Sequence, residues 1–288
     1  MSELCKNWSQ WLGETRFAAL TPEMREQTIR WLELVRDVLI QYSELKPTDT
    51  VLDIGTGTGL MAMRALELQG GQGRVIFSDK FQDCLDSCKE FLDNAGITKG
   101  YEFLNAPCED LKLESGIVDK VFMRSVLVHI KEKQPAINEI ARVLKKGGKY
   151  CAFEPIIRSN TKYYELLDPQ YIENYEEFKN AEIDMSTNML DSLFNFDDET
   201  LRVNLTNAGF SVPDVQVQSV ESKYVVNRDM VEKWFITPPS PDQPPTKQRF
   251  LKYFDEAKID KYILDIQNYL DGREIELKTN AAFIVATK

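Results

Sequence analysis

One stretch constrains this chain more than any other: Thr50-Val51-Leu52-Asp53-Ile54-Gly55-Thr56-Gly57-Thr58-Gly59. A short apolar run, three alternating glycines and then a helical pattern from Leu60 to about Leu68 read as a buried strand turning sharply into a helix. Such a turn brings bare backbone to the carboxyl edge of a sheet, where a ligand can come close. Side chains at Gly55 or Gly57 would fill that space, and glycine also accepts the positive φ of a tight turn. The spacing separates ligands. A dinucleotide turn of the form Gly-x-Gly-x-x-Gly needs glycine where this chain has Leu60, so a nicotinamide oxidoreductase is disfavoured. A phosphate-binding loop needs Lys-Ser or Lys-Thr after its last glycine, and the chain lacks that pair too.

Further strands follow at Arg74–Asp79, Tyr101–Leu104, Val118–Met123 and Lys149–Glu154. Helical patterns separate them, at Phe81 to about Asn94 and at Lys131 to Leu144, the latter ending in Lys145-Lys146-Gly147-Gly148. Strands alternating with helices predict an α/β fold with a doubly wound sheet. Phe210–Val220 and Ala281–Ala286 bring the sheet to seven strands. Ahead of it, Thr21-Pro22-Glu23 caps a helix with Ile29, Leu32, Val35 and Leu39 on one face. An aromatic-rich segment with Trp8, Trp11, Leu12 and Phe17 precedes that helix. The expected organisation is an N-terminal helical cap over residues 1–46 and a main domain over 47–288. Insertions at about 156–195 and 221–275 would form a substrate cap. Pro238, Pro239, Pro241, Pro244 and Pro245 exclude a helix or central strand there, and a helix from Thr246 to about Leu270 follows.

Composition narrows the partners. With 35 Lys and Arg against 46 Asp and Glu, the net charge is −11, which opposes nucleic acid and anionic lipid. No apolar run approaches the roughly 18 residues that span a bilayer, and the first residues carry no secretory pattern. A cytoplasmic protein without a membrane partner is expected. Cys5, Cys84, Cys88, Cys108 and Cys151 are an odd set among apolar residues, read as free buried thiols of a reducing compartment. Two thiols and a distant lone histidine, His129, do not make a zinc site, and no metal is expected.

The segment Val51–Gly59 resembles motif I of the class I methyltransferases that use S-adenosylmethionine, and the resemblance continues in order along the chain. Asp79 stands where that family holds the ribose hydroxyls with a carboxylate. Ala106-Pro107-Cys108-Glu109-Asp110-Leu111 resembles the segment along the adenine edge, and Arg124-Ser125-Val126-Leu127-Val128-His129-Ile130 the segment beside the methionine moiety. Ile137–Lys149 is similar to the family's E-x-x-R-V-L-K-P-G-G run, with Lys146 in place of the proline. The resemblance spans about residues 48–155 and, more loosely, the last two strands. It implies a Rossmann-like methyltransferase fold that binds S-adenosyl-L-methionine and releases S-adenosyl-L-homocysteine. The residues implied to hold the cofactor are Asp53, Gly55, Thr56, Gly57, Gly59, Asp79, Lys80, Cys108, Glu109, Arg124 and Ser125. Cys108 would act through its backbone. Glu139 and Arg142, three apart on a helix, read as structural.

Methyl transfer from a sulfonium demands alignment and exclusion of water, and a base only where the acceptor carries a proton. His129 and Glu154, at the ends of the fourth and fifth strands, are the candidate catalytic residues. The expected acceptor is the nitrogen or oxygen of a small molecule, chosen by the Trp8–Phe17 segment and the two insertions. Tyr163, Tyr164, Tyr171, Tyr175 and Phe178, interleaved with Glu165, Asp168, Glu173, Glu176 and Glu177, suit either a cage for a cationic acceptor or a packed aromatic stripe under an acidic face. A peptide or protein side chain as acceptor, and a cofactor-binding regulator without transfer activity, are the alternatives. The oligomeric state is left open.

Overall fold

A computed structural model describes residues 8–288 of the chain, so Cys5 lies outside the described residues. Strands β1 (Thr50–Ile54), β2 (Arg74–Asp79), β3 (Tyr101–Asn105), β4 (Val118–Arg124), β5 (Leu144–Pro155), β6 (Ser211–Val225) and β7 (Glu274–Thr287) form one sheet in the order β3-β2-β1-β4-β5-β7-β6. The first five run parallel, and β7 enters antiparallel between β5 and β6. The doubly wound, seven-stranded α/β reading therefore holds.

The period of two along each strand explains the layers. Leu52, Ile54, Ile76, Val121 and Met123 point to one face, against α5 (Lys133–Val143) and α7 (Asp198–Asn207). Val51, Val75, Phe77, Phe122 and Phe153 point to the other. There they meet α2 (Pro22–Ser43), α3 (Leu60–Gln69) and α4 (Gln82–Asn94). A third apolar cluster joins the two insertions, where α6 (Tyr175–Thr187) meets α8 (Arg228–Ile236), α9 (Thr246–Phe250) and α10 (Glu256–Leu270).

Three boundaries differ from expectation, each for a local reason. The helix expected over 246–270 is two, because the Asp255 carboxylate accepts the Lys258 N–H at 2.8 Å and starts α10 afresh. Helix α5 stops at Val143, and Leu144 pairs at once with Val118, so β5 begins before the glycines. The β6–β7 ribbon runs past the sheet to Val225 and Glu274, its cross-strand pair Lys223–Glu276 joined at 2.9 Å. Of the aromatics of the first insertion Phe178 is core, stacking on Tyr262 with ring centroids 3.8 Å apart, Tyr163 packs on Trp234 at its edge, and Tyr171 is exposed. The four described cysteines are buried and free. Among the described residues no helix is long and apolar enough to cross a membrane.

Candidate active site

The carboxyl ends of β1 to β5 open into a cavity of about 570 Å³, within the range of small-molecule sites. Its floor is the glycine turn. Asp53, next to the end of β1, is buried, and its Oδ2 accepts the Thr56 hydroxyl at 2.7 Å and the Ala62 N–H at 3.0 Å, tying the turn to the start of α3. Burial pushes the Asp53 carboxyl up to about 7. Asp79, ending β2, closes the turn from the side, with Oδ2 accepting Gly57 N–H and Oδ1 accepting Phe81 N–H, each at 2.9 Å. Its pKa is also raised, chiefly by burial.

Two glycines are required here. Gly55 has φ +63°, and a Cβ there would stand 2.4 Å from Val126 Cγ2 in the loop after β4. Gly57 has φ +54°, and its Cβ would meet Leu12 Cδ1 at 2.8 Å. Leu12 belongs to α1 (Trp8–Gly13), which lies over the cavity and continues into a 3₁₀ turn, Thr15–Phe17. Trp8 stacks on Phe81 at 4.9 Å, and Trp11 Nε1 donates to the Pro238 carbonyl at 3.1 Å. The N-terminal segment and the proline-rich loop thus meet above the site.

After β4 the chain makes a second 3₁₀ turn, Leu127–His129, which carries His129 to the cavity. The imidazole meets the Trp8 ring edge-on at 5.3 Å, and its buried Nδ1 has no partner among the described residues. Burial lowers its pKa to about 4, with Asp242 opposing and Lys133 reinforcing the shift, so the ring is neutral at pH 7. Glu154 behaves differently from the expectation of a group at the reaction centre. It is fully buried behind the turn, does not line the cavity, and accepts the N–H groups of Val126 at 3.0 Å and Val128 at 3.3 Å. It positions the turn that carries His129. Burial pushes its carboxyl up to about 7.

Asp53, Gly55, Thr56, Gly57, Asp79, Lys80, Cys108, Glu109, Arg124, Ser125 and His129 all line the one cavity. Gly59 does not: it caps α3, its Cβ position 3.2 Å from Cys88 Sγ. Glu139 and Arg142 form a structural pair, with Arg142 Nη2 donating to Glu139 at 2.6 Å. Arg16, Leu193, Pro239 and Asp242 also line the cavity. The sequence reading assigned their segments to acceptor choice without singling out these residues, since no local signal marks which side chain of a loop turns inward. A second cavity of about 360 Å³ adjoins the first across Ile157, Leu193 and Pro239. Among the described residues no group of three or more metal-ligating side chains comes together.

A family model described as a methyltransferase domain matches residues 45–196. The chain belongs to the class I S-adenosylmethionine-dependent methyltransferases. The match takes in the glycine turn, β1 to β5 and the first insertion. Curated relatives include the ubiquinone/menaquinone biosynthesis C-methyltransferase UbiE of Klebsiella pneumoniae, 29% identical over 179 residues, covering 61% of this chain and 71% of that protein. The UbiE of Francisella tularensis subsp. novicida is 33% identical over 129 residues, 44% of this chain and 52% of that one. Among solved structures, YcgJ of Bacillus subtilis superposes with a TM-score of 0.56 at 19% identity, covering 88% of this chain and 97% of its own. The Haemonchus contortus phosphoethanolamine N-methyltransferase 2, solved with S-adenosyl-L-methionine, gives 0.53 at 16% identity over 98% of this chain and 60% of its own. These two likenesses show the fold.

The methyltransferase is thus an enzyme whose cofactor is S-adenosyl-L-methionine. The cavity suits that group: a glycine floor that a Cβ would obstruct, and a carboxylate at the end of β2, beside the stretch Ala106–Glu109. When bound, the cofactor supplies an electrophilic methyl on a sulfonium. The protein's part is to bind, to align and to exclude water.

Proposed function

We propose that the acceptor is a small molecule enclosed between the glycine turn, the N-terminal segment and the proline-rich loop, and that its methylated atom is an oxygen or nitrogen that gives up a proton to His129. The observation carrying this reading is the buried, unpartnered Nδ1 of a neutral imidazole at a cavity partly covered by Trp8 and Trp11. A neutral imidazole accepts a proton, whereas an ordinary exposed histidine loses that capacity below about pH 6.5. Enclosure favours a small acceptor over a peptide, which needs an open groove. Asp79 and the segment from Ala106 to Glu109 would hold the nucleoside end of the cofactor, and Arg124 and Ser125 would lie beside its amino-acid end. Of the expected set, Gly59 would act only by starting α3.

A carbon acceptor is the second reading, favoured because the UbiE relatives are named as C-methyltransferases. An activated ring carbon also sheds a proton, so both readings use His129. Incubation with methyl-labelled S-adenosylmethionine and a panel of phenols, amines and quinols, followed by mass spectrometry, separates them. Transfer to oxygen or nitrogen that falls at least about a hundredfold in His129→Gln supports the first reading. Label on ring carbon alone supports the second, and label only on peptides defeats both.

A further inference from the structure

The charges around the cavity are matched unevenly. Each carboxylate that faces it is engaged by the protein: Asp53 and Asp79 by the glycine turn, Glu109 by the Cys108 thiol, and Asp242 by the Ser240 hydroxyl at 2.6 Å. The cations are not. Lys80 and Lys131 are exposed to water. Arg16, from the segment over the cavity, and Arg124, from the end of β4, line the cavity and are half-buried. Among the described residues neither guanidinium has a hydrogen-bond or ion-pair partner, and Arg16 Nε is buried and unsatisfied. Arg16 sits over the Phe17 ring at 4.5 Å, which holds it in place without meeting its donors.

The two guanidiniums also repel each other. Burial, then the charge of Arg124, lowers Arg16 to about 10. Asp53 and Glu154 act on Arg124 only at a distance, and burial pushes both of those carboxyls up to about 7. Two half-buried like charges in one cavity, neither with a protein partner, leave their donors free for an anion. The cofactor has one carboxylate, at the end beside Arg124, so it can meet at most one of the two cations, and its ammonium and sulfonium leave it with a net positive charge. Loading the cofactor leaves the region still more positive.

We infer that the methyl acceptor carries an anionic group, a carboxylate or a phosphate, seated against Arg16 in the cavity that Arg124 also lines. The guanidinium fork matches both groups with paired charge-assisted hydrogen bonds. The anion anchors one end of the acceptor and presents its other end towards His129. Arg16 arrives with the segment that covers the cavity, so the anion also holds that segment down. This inference rests on the small-molecule reading above.

The test uses protein saturated with S-adenosylhomocysteine and three probes of similar size: phenyl phosphate, phenol and benzylamine. Calorimetry is expected to find phenyl phosphate bound about tenfold or more tighter than phenol, and benzylamine weakest. In Arg16→Gln the preference disappears while affinity for S-adenosylhomocysteine stays within about threefold, and Arg16→Lys keeps part of the preference. Equal binding of phenol and phenyl phosphate to the wild-type protein overturns the inference, and this arm needs no variant to fold. Loss of S-adenosylhomocysteine affinity in Arg16→Gln, together with no preference for phenyl phosphate, also overturns it and gives Arg16 to the cofactor's carboxylate. If the loaded protein binds none of the three, the small-molecule reading fails with it.

Discussion

Trp11 and Pro238 lie 227 positions apart, yet the Trp11 indole N–H donates to the Pro238 carbonyl at 3.1 Å, joining two segments over one cavity. A hydrogen bond of this kind contributes about 1 kcal/mol. Trp11→Phe keeps the ring and removes the donor. The expected result is S-adenosylhomocysteine affinity weakened by roughly fivefold, with faster proteolysis before Thr21. Unchanged affinity and unchanged protease resistance would mean that the contact does not hold the cavity closed.

The glycine turn makes a harder demand. Gly57→Arg puts a long side chain where Leu12 already lies 2.8 Å from the Cβ position, so calorimetry should detect no cofactor binding by a protein that still melts cooperatively. Asp79→Ala frees the N–H groups of Gly57 and Phe81 and should weaken S-adenosylhomocysteine by about tenfold or more. Wild-type affinity in both variants would remove the turn from the cofactor site.

His129 sets a pH dependence whose sign is fixed. Its folded pKa, about 4, lies below the unfolded value near 6.5, so the unfolded chain takes up a proton first as pH falls. Stability is therefore lost between about pH 6.5 and 4, and His129→Gln should lose less over that interval in paired urea titrations. As the proton acceptor, His129 should also sustain kcat/KM down to about pH 4. A wild-type acid limb centred near 6.5 would contradict the buried, neutral ring.

Glu154→Gln tests positioning against contact. The substitution leaves one acceptor oxygen for two N–H groups, those of Val126 and Val128, at a cost of about 1–3 kcal/mol in stability. With His129 displaced by the loosened turn, kcat should fall while KM for the cofactor stays near the wild-type value. Loss of activity with wild-type stability and an unmoved pH profile would instead argue for direct contact with the acceptor.

The legible part of the structure was local. Val51 and Leu52 alternate across the sheet as their pattern requires, and Asp53, the glycines and Asp79 lie at strand ends because the apolar runs stop there. The same parity placed Glu154 at the end of β5 but could not tell its depth, which depends on how the turn after β4 folds over it. The break between α9 and α10 rests on one Asp cap inside a helix-compatible run. Arg16 was illegible for a deeper reason. That a guanidinium has no partner is a property of everything packed around it, and no spacing in the chain encodes it.

Leu12 rests over Gly57, and Arg16 follows four positions later on the same segment. A methyl donor seated on the glycine turn would lie beneath Leu12, with Arg16 lining the same cavity from the same segment. An ordered exchange, donor before acceptor, is the expected consequence, and initial-rate kinetics with S-adenosylhomocysteine as a product inhibitor would check it.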